Sequence, residues 1–149
     1  MDREKQYVDT FYAKDPTYRD ELLRLKAEGK CPFCWEYFKI QYADQILNRE
    51  GNCFIARLTW PYKDTDTHLM VIPDEHKEFP EELTFTEWEN MLKLLDWAVQ
   101  EFNIPGGAIA MRFGDPRRTG ATVLHLHMHI IVPELGENDR AKVVNFPIG

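Results

Sequence analysis

The residues of this 149-residue chain best suited to chemistry are five histidines and three cysteines, and they are not evenly spread. His125, His127 and His129 take alternate positions of VLHLHMHIIV. His68 and His76 bracket LMVIPDE, and Cys31 and Cys34 form a Cys-x-x-Cys pair in KCPFCWEYF. A neutral imidazole is a base, a nucleophile and a metal ligand near neutral pH. On a strand, side chains alternate faces, so the three histidines share one face at about 6–7 Å spacing. Threonine, lysine or glutamate would serve equally well on a merely solvated face. Three imidazoles in register therefore point to a metal site or to phosphoryl chemistry. Cys-x-x-Cys alone also fits a redox pair. Two cysteines and two histidines are a common tetrahedral zinc set, which one strand-end histidine and one triad histidine could complete. Cys53, inside an apolar run, reads as a small buried hydrophobe.

The elements that must position these groups follow from periodicity and punctuation. Asp15-Pro16 starts a helix that Gly29 stops, with Tyr18, Leu22, Leu23 and Leu25 as its apolar stripe. Tyr7, Val8, Phe11 and Tyr12 predict a second, weaker helical stretch before it. Ile46-Leu47 and Cys53–Leu58 read as strands joined by a turn at Asn48–Asn52. His68–Pro73 reads as a buried strand. Thr84 and Glu87 fit a capping box. Behind it Trp88, Met91, Leu92, Leu95, Val99 and Phe102 recur at helical spacing, predicting a helix over Phe85–Phe102 that Pro105–Gly107 ends. Ala108–Phe113 is a strand, GDPRRTGA a loop, and Thr122–Val132 the histidine strand, closed by Pro133. Strands on either side of one long helix predict an α+β fold with a largely antiparallel sheet.

Composition narrows the function classes. A formal charge of −7 disfavours a nucleic-acid polymer or a polybasic membrane surface as partner. Hydrophobic residues at 44% and aromatics at 13% describe a packed globular chain rather than a disordered one. The first 30 residues carry no apolar signal core, and no apolar run approaches the ~20 residues of a membrane helix, so the expected setting is cytoplasmic. The length predicts a single domain over residues 1–149.

HLHMHII resembles the His-x-His-x-His signature of the histidine-triad (HIT) superfamily of nucleotidyl hydrolases and transferases. HLMVIPDEH resembles that family's His–strand–Pro-x-x-His block, GATVLHLHMH its Gly-rich approach to the triad, and CPFC the Cys-x-x-Cys of its zinc-bearing members. TWPYKDTDTHLMVIPDEH looks most like the diadenosine polyphosphate hydrolase and phosphorylase branches. The resemblance covers about residues 31–133. It implies a HIT core there and a five-stranded sheet, while residues 1–29, outside the resemblance, read from their own pattern as a helical N-terminal extension.

The resemblance also implies roles. His127 is the nucleophile that attacks the α-phosphorus and forms a covalent nucleotidyl-histidine. A backbone carbonyl on a neighbouring strand fixes its tautomer. His129 donates to a nonbridging phosphate oxygen, and His68 supports the triad. Thr122 contacts the phosphate or leaving group, and Gly120 lets backbone approach it. Cys31, Cys34, His76 and His125 hold one structural zinc per chain. The substrate is a nucleotide, most simply an adenine dinucleoside polyphosphate, and the chain is a homodimer.

Some positions depart from the family pattern. Ala121 replaces a glutamine usual in many HIT hydrolases and resembles the phosphorylase-like branch. Arg112 stands where an asparagine is frequent, and Leu58–Trp60 offer no ribose contact, leaving Asp64 or Asp66 to substitute. Arg112, Arg117 and Arg118 could supply positive charge for a polyphosphate, although the last two also fit a solvated loop. Trp60 and Tyr62 fit base stacking and core packing equally. Three other readings stay open: a nucleoside phosphoramidate hydrolase, a non-catalytic nucleotide-binding or sensor module, and a metal site made by the triad itself.

Overall fold

The computed structural model describes residues 6–149. Five strands form one antiparallel sheet: β1 (Ile46–Glu50), β2 (Cys53–Arg57), β3 (Thr65–Pro73), β4 (Ala108–Ala110) and β5 (Met128–Pro133), ordered β1-β2-β3-β5-β4. Among the described residues four α-helices accompany it: α1 (Pro16–Glu28), α2 (Trp35–Gln41), α3 (Phe85–Glu101) and the short α4 (Pro116–Thr119). The α+β architecture expected from the sequence is the one observed.

Both faces of the central strands are covered. Ile55, Leu69, Val71, Leu126, Met128 and Ile130 pack against Met91, Leu94 and Ala98 of α3. The alternate residues Phe54, Ala56, Met70 and Ile72 pack against Phe38 of α2. The strict alternation of the pleat explains this division. Removing a ring such as Phe54, which is fully buried, would cost about 3–5 kcal/mol. Cys53 is buried as expected.

The helix α3 starts as the capping box predicts: Thr84 Oγ1 accepts from Glu87 N–H at 3.0 Å, and the Glu87 carboxylate accepts from Thr84 N–H at 2.9 Å. Its buried stripe is rotated from the expected one. Met91, Leu94 and Ala98 face the sheet, while Leu92 and Val99 are exposed. The helix α1 is also capped as read. The Asp15 carboxylate accepts from Tyr18 N–H, and Gly29 adopts φ +64° in the left-handed region. Leu22 and Leu25 are buried, whereas Leu23 is exposed.

Several expectations are corrected. The turn read at Asn48–Asn52 is confined to Gly51-Asn52, because Asn48, Arg49 and Glu50 pair with Ile55, Phe54 and Cys53. Residues 7–12 are not helical: Val8 bridges Val123 in antiparallel fashion, because a fully buried valine there completes a small core with Leu22 and Ala13. Strand β4 ends at Ala110 rather than Phe113, and β5 begins at Met128 rather than Thr122. Ladder pairing between β3 and β5 runs only from Met128 onward, so His125 and His127 lie on the approach to the strand. The GDPRRTGA loop contains the short α4, capped by Asp115 and stopped by Gly120 at φ +70°. No helix among the described residues is long and apolar enough to cross a membrane.

Candidate active site

The histidine segment passes two different surroundings. At its start, His125 is buried beside Cys31, Cys34 and His76. Their ligand atoms all lie within 4.8 Å of one another. His125 Nδ1 is 3.3 Å from Cys31 Sγ and 3.7 Å from Cys34 Sγ, and His76 Nδ1 is 3.4 Å from Cys31 Sγ. Donors around a tetrahedral zinc stand about 3.3–3.8 Å apart, given Zn–S and Zn–N bonds of about 2.3 and 2.0 Å. The outer nitrogens are also committed. His125 Nε2–H donates to the Pro73 carbonyl at 2.7 Å, and His76 Nε2–H donates to the Glu78 carboxylate at 3.1 Å. Each bond leaves the Nδ1 lone pair facing the cysteines, as a metal ligand requires. The hydrogen bond between the thiols holds Cys34 well below the ordinary thiol value, and that bond together with burial holds Cys31 above it. These four residues could hold a metal ion.

The other half of the segment faces a cavity of about 320 Å³ that His127 and His129 line. His127 Nδ1 is 2.7 Å from the carbonyl of His125, two residues earlier. A carbonyl only accepts, so the proton sits on Nδ1 and the lone pair on Nε2 is free. The expected fixing carbonyl thus comes from the same segment, not from a neighbouring strand. The Phe33 ring meets His127 edge-on at 4.8 Å. Burial pushes the His127 imidazole down to about 4, which keeps it neutral near pH 7.

His129 carries the opposite polarity. Tyr62 N–H donates to His68 Nδ1 at 3.0 Å, which puts the His68 proton on Nε2. That Nε2–H donates to His129 Nδ1 at 2.8 Å. His129 must then carry its proton on Nε2, which is buried and has no partner among the described residues. Burial pushes His68 to about 4 and His129 well below the ordinary histidine value, so both are neutral. Two adjacent rings, 4.7 Å apart, therefore offer a free lone pair and an unpaired N–H donor.

The cavity also gathers Gly120, Thr122 and Arg112. The Arg112 guanidinium bonds Tyr62 Oη at 3.1 Å and the Pro147 carbonyl at 2.7 Å. Arg117 and Arg118 are exposed and do not line the cavity; Arg117 forks onto Asp115 at 2.6 Å. Asp64 pairs with Lys142 and Asp66 is exposed, so neither reaches the cavity. Trp60 and Tyr62 both line it. Several residues of the site carried no signal in the sequence that they belong to it, Tyr18 having read only as part of the α1 stripe. The rings of Phe33 and Phe146 pack on the triad, with Phe146 5.2 Å from His129. Tyr18 arrives from α1. An isolated aromatic is usually core, so only contacts distant in sequence mark these three.

No protein-family model matches the sequence, and no curated protein matches it. Solved structures do. A histidine triad nucleotide-binding protein from Candida albicans is 18% identical with a TM-score of 0.60, over 79% of this chain and 83% of that chain. A HIT family hydrolase from Legionella pneumophila is 19% identical with a TM-score of 0.54, over 74% and 100%. A diadenosine triphosphate hydrolase from Plasmodium falciparum is 21% identical with a TM-score of 0.52, over 65% of each chain. The chain has the fold of the histidine-triad superfamily.

Proposed function

We propose that this protein is a nucleotidyl hydrolase or transferase that acts through a covalent nucleotidyl-histidine. The observation that carries the reading is the paired tautomers: a lone pair on His127 Nε2 beside an unpartnered N–H on His129 Nε2. In this reading His127 Nε2 attacks the α-phosphorus and the leaving group departs with its electron pair. His129 Nε2–H donates to a nonbridging oxygen, where charge grows in the transition state. His68 holds the His129 tautomer. Thr122, Arg112 and backbone at Gly120 serve the phosphate side. Water or phosphate then attacks the nucleotidyl-histidine and releases His127. Arg117 and Arg118, which point away, at most steer an anionic substrate.

The substrate is a nucleotide, with a dinucleoside polyphosphate first in line, because the fold is shared with a diadenosine triphosphate hydrolase. Cys31, Cys34, His76 and His125 would hold one structural zinc that pins the N-terminal knuckle to the histidine segment. The homodimer expected by resemblance would use the far side of α3. Phe85, Leu92 and Val99, seven residues apart, form one exposed apolar stripe there. The decisive experiment is a substrate panel. Diadenosine polyphosphates with and without phosphate, and adenosine phosphoramidates, are followed by product analysis, with mass spectrometry of the quenched enzyme. The expected result is release of a nucleoside monophosphate, or of a diphosphate when phosphate is present, with a nucleotidyl adduct on His127. Turnover without an adduct on this residue would sink the covalent mechanism.

A further inference from the structure

The N-terminal segment lies outside the part of the sequence that resembles the family, yet it is built into the site. Asp9 N–H donates to the Thr122 carbonyl at 2.8 Å, and Leu124 N–H donates to the Tyr7 carbonyl at 2.9 Å. These bonds pair the segment with the backbone leading into the triad. The fully buried Val8 packs with Leu22 of α1 and with Val123. Thus anchored, α1 forms one wall of the cavity through Tyr18, Glu21, Leu22 and Leu25, facing Phe38 and Met70. The Tyr18 ring lies 4.7 Å from that of Trp60, and its hydroxyl bonds Thr122 Oγ1.

The chemistry of this wall is divided. Its inner side is apolar and aromatic, which suits a planar heteroaromatic base. Its tip carries a phenol that burial keeps protonated. Either hydroxyl can donate in this bond; with the phenol as donor, the Thr122 proton is free to turn into the cavity. The unpartnered His129 N–H belongs to a ring lining the same cavity. Two hydroxyl-type and imidazole donors would then meet one phosphoryl group. A cavity of about 320 Å³ lies at the small end for ligand pockets and fits one nucleotide unit, with any second unit left outside.

We propose that α1 is a substrate-binding element and that Tyr18 is its key residue, the ring closing the base slot with Trp60 and the hydroxyl orienting Thr122 toward phosphate. This rests on the nucleotide reading above. Tyr18 touches the base as a binding residue and acts on the phosphate only through Thr122, as a positioning residue.

The test compares the full chain with Tyr18→Ala and Tyr18→Phe. Calorimetry measures the affinity for AMP, GMP and UMP, and for inorganic pyrophosphate as a probe without a base. Kinetics on a diadenosine polyphosphate give kcat and KM. Tyr18→Ala should weaken the tightest-bound monophosphate by about tenfold, as loss of base stacking does, and leave pyrophosphate affinity unchanged. Tyr18→Phe keeps the ring, so affinity and KM should hold while kcat falls by about tenfold, the worth of one well-placed hydrogen bond. Tyr18→Phe, an isosteric change, keeps the test open if Tyr18→Ala does not fold. Unchanged monophosphate affinity in Tyr18→Ala, equal weakening of monophosphate and pyrophosphate, or a wild-type kcat in Tyr18→Phe would overturn the proposal. The two readings fail separately. A wild-type protein that binds AMP but turns over nothing refutes the enzymatic reading, and the affinities then decide the role of α1. A wild-type protein that binds no nucleotide refutes both.

Discussion

At His125 both ring nitrogens are committed, one to the Pro73 carbonyl and the other to the sulfur pair. Four residues on, His129 keeps one buried nitrogen without a partner. The same side chain thus serves two ends of one short segment in opposite ways. In the cysteine-histidine cluster, outward hydrogen bonds turn the lone pairs inward to a common point. At the cavity, the hydrogen bonds leave one lone pair and one donor unspent. A satisfied cluster stabilises, whereas an unsatisfied buried group costs about 1–3 kcal/mol until a ligand meets it. The two ends are also joined mechanically, because the carbonyl that sets the His127 tautomer belongs to His125.

The largest break in this comparison is expected from His127→Asn. Turnover should drop on the order of 10³-fold or more, with the melting temperature nearly unchanged, since the residue is half-buried and outside the core clusters. Retained turnover would reassign the nucleophile. Next is Cys34→Ser. On the zinc reading proposed above, it should lower the zinc bound per chain and cost on the order of 4 kcal/mol or more in a denaturant melt. It should also lower turnover, because His125 would no longer be held from both sides. Full activity in a metal-free, destabilised variant would show that the two ends are independent.

A smaller effect concerns pH. His68 and His129 are depressed in the folded state, His68 to about 4, chiefly by burial. The unfolded chain, with histidines near pH 6.5, binds more protons between those values. The stability these residues contribute is therefore fully present above about pH 6.5 and is lost as pH falls toward 4. Melting temperatures across that range check the sign in wild type against His68→Gln, which should show a shallower loss. The smallest effect is expected from Arg117→Ala. An exposed pair with Asp115 is worth about 0–1 kcal/mol, so stability should barely change and kcat not at all. A clear fall in kcat would return this arginine to the substrate path.

Legibility differed sharply along the chain. The α3 capping box, the Asp15–Gly29 bounds of α1 and the β1–β2 hairpin were readable because each depends on neighbours in sequence. Residues 7–12 misled for the complementary reason: their spacing fits a helix, but Val8 gains more by pairing with Val123, far along the chain. By charge alone Arg117 and Arg118 fit a phosphate or a solvated loop equally, and in α4 both are exposed and outside the cavity lining. Phe33 and Phe146 had no periodicity to announce them, and Tyr18 read only as part of the α1 stripe; three separate segments bring them to the site.

For the histidine segment itself, the period-2 pattern determined that the three histidines share one face, and the intervening Leu126, Met128 and Ile130 go to the core. Strand geometry imposes that alternation from Met128 onward, where the ladder begins. The roles of the three histidines came by resemblance, and only the tertiary structure decided how each ring is held. His125 meets the thiol of Cys34 across 91 residues of chain, and His129 meets His68 across 61. The Pro73 carbonyl sets the His125 tautomer and His68 sets that of His129, both from far along the chain. His127 instead takes its tautomer from the carbonyl of His125, two residues away. These protons underlie the proposed division into ligand, nucleophile and donor.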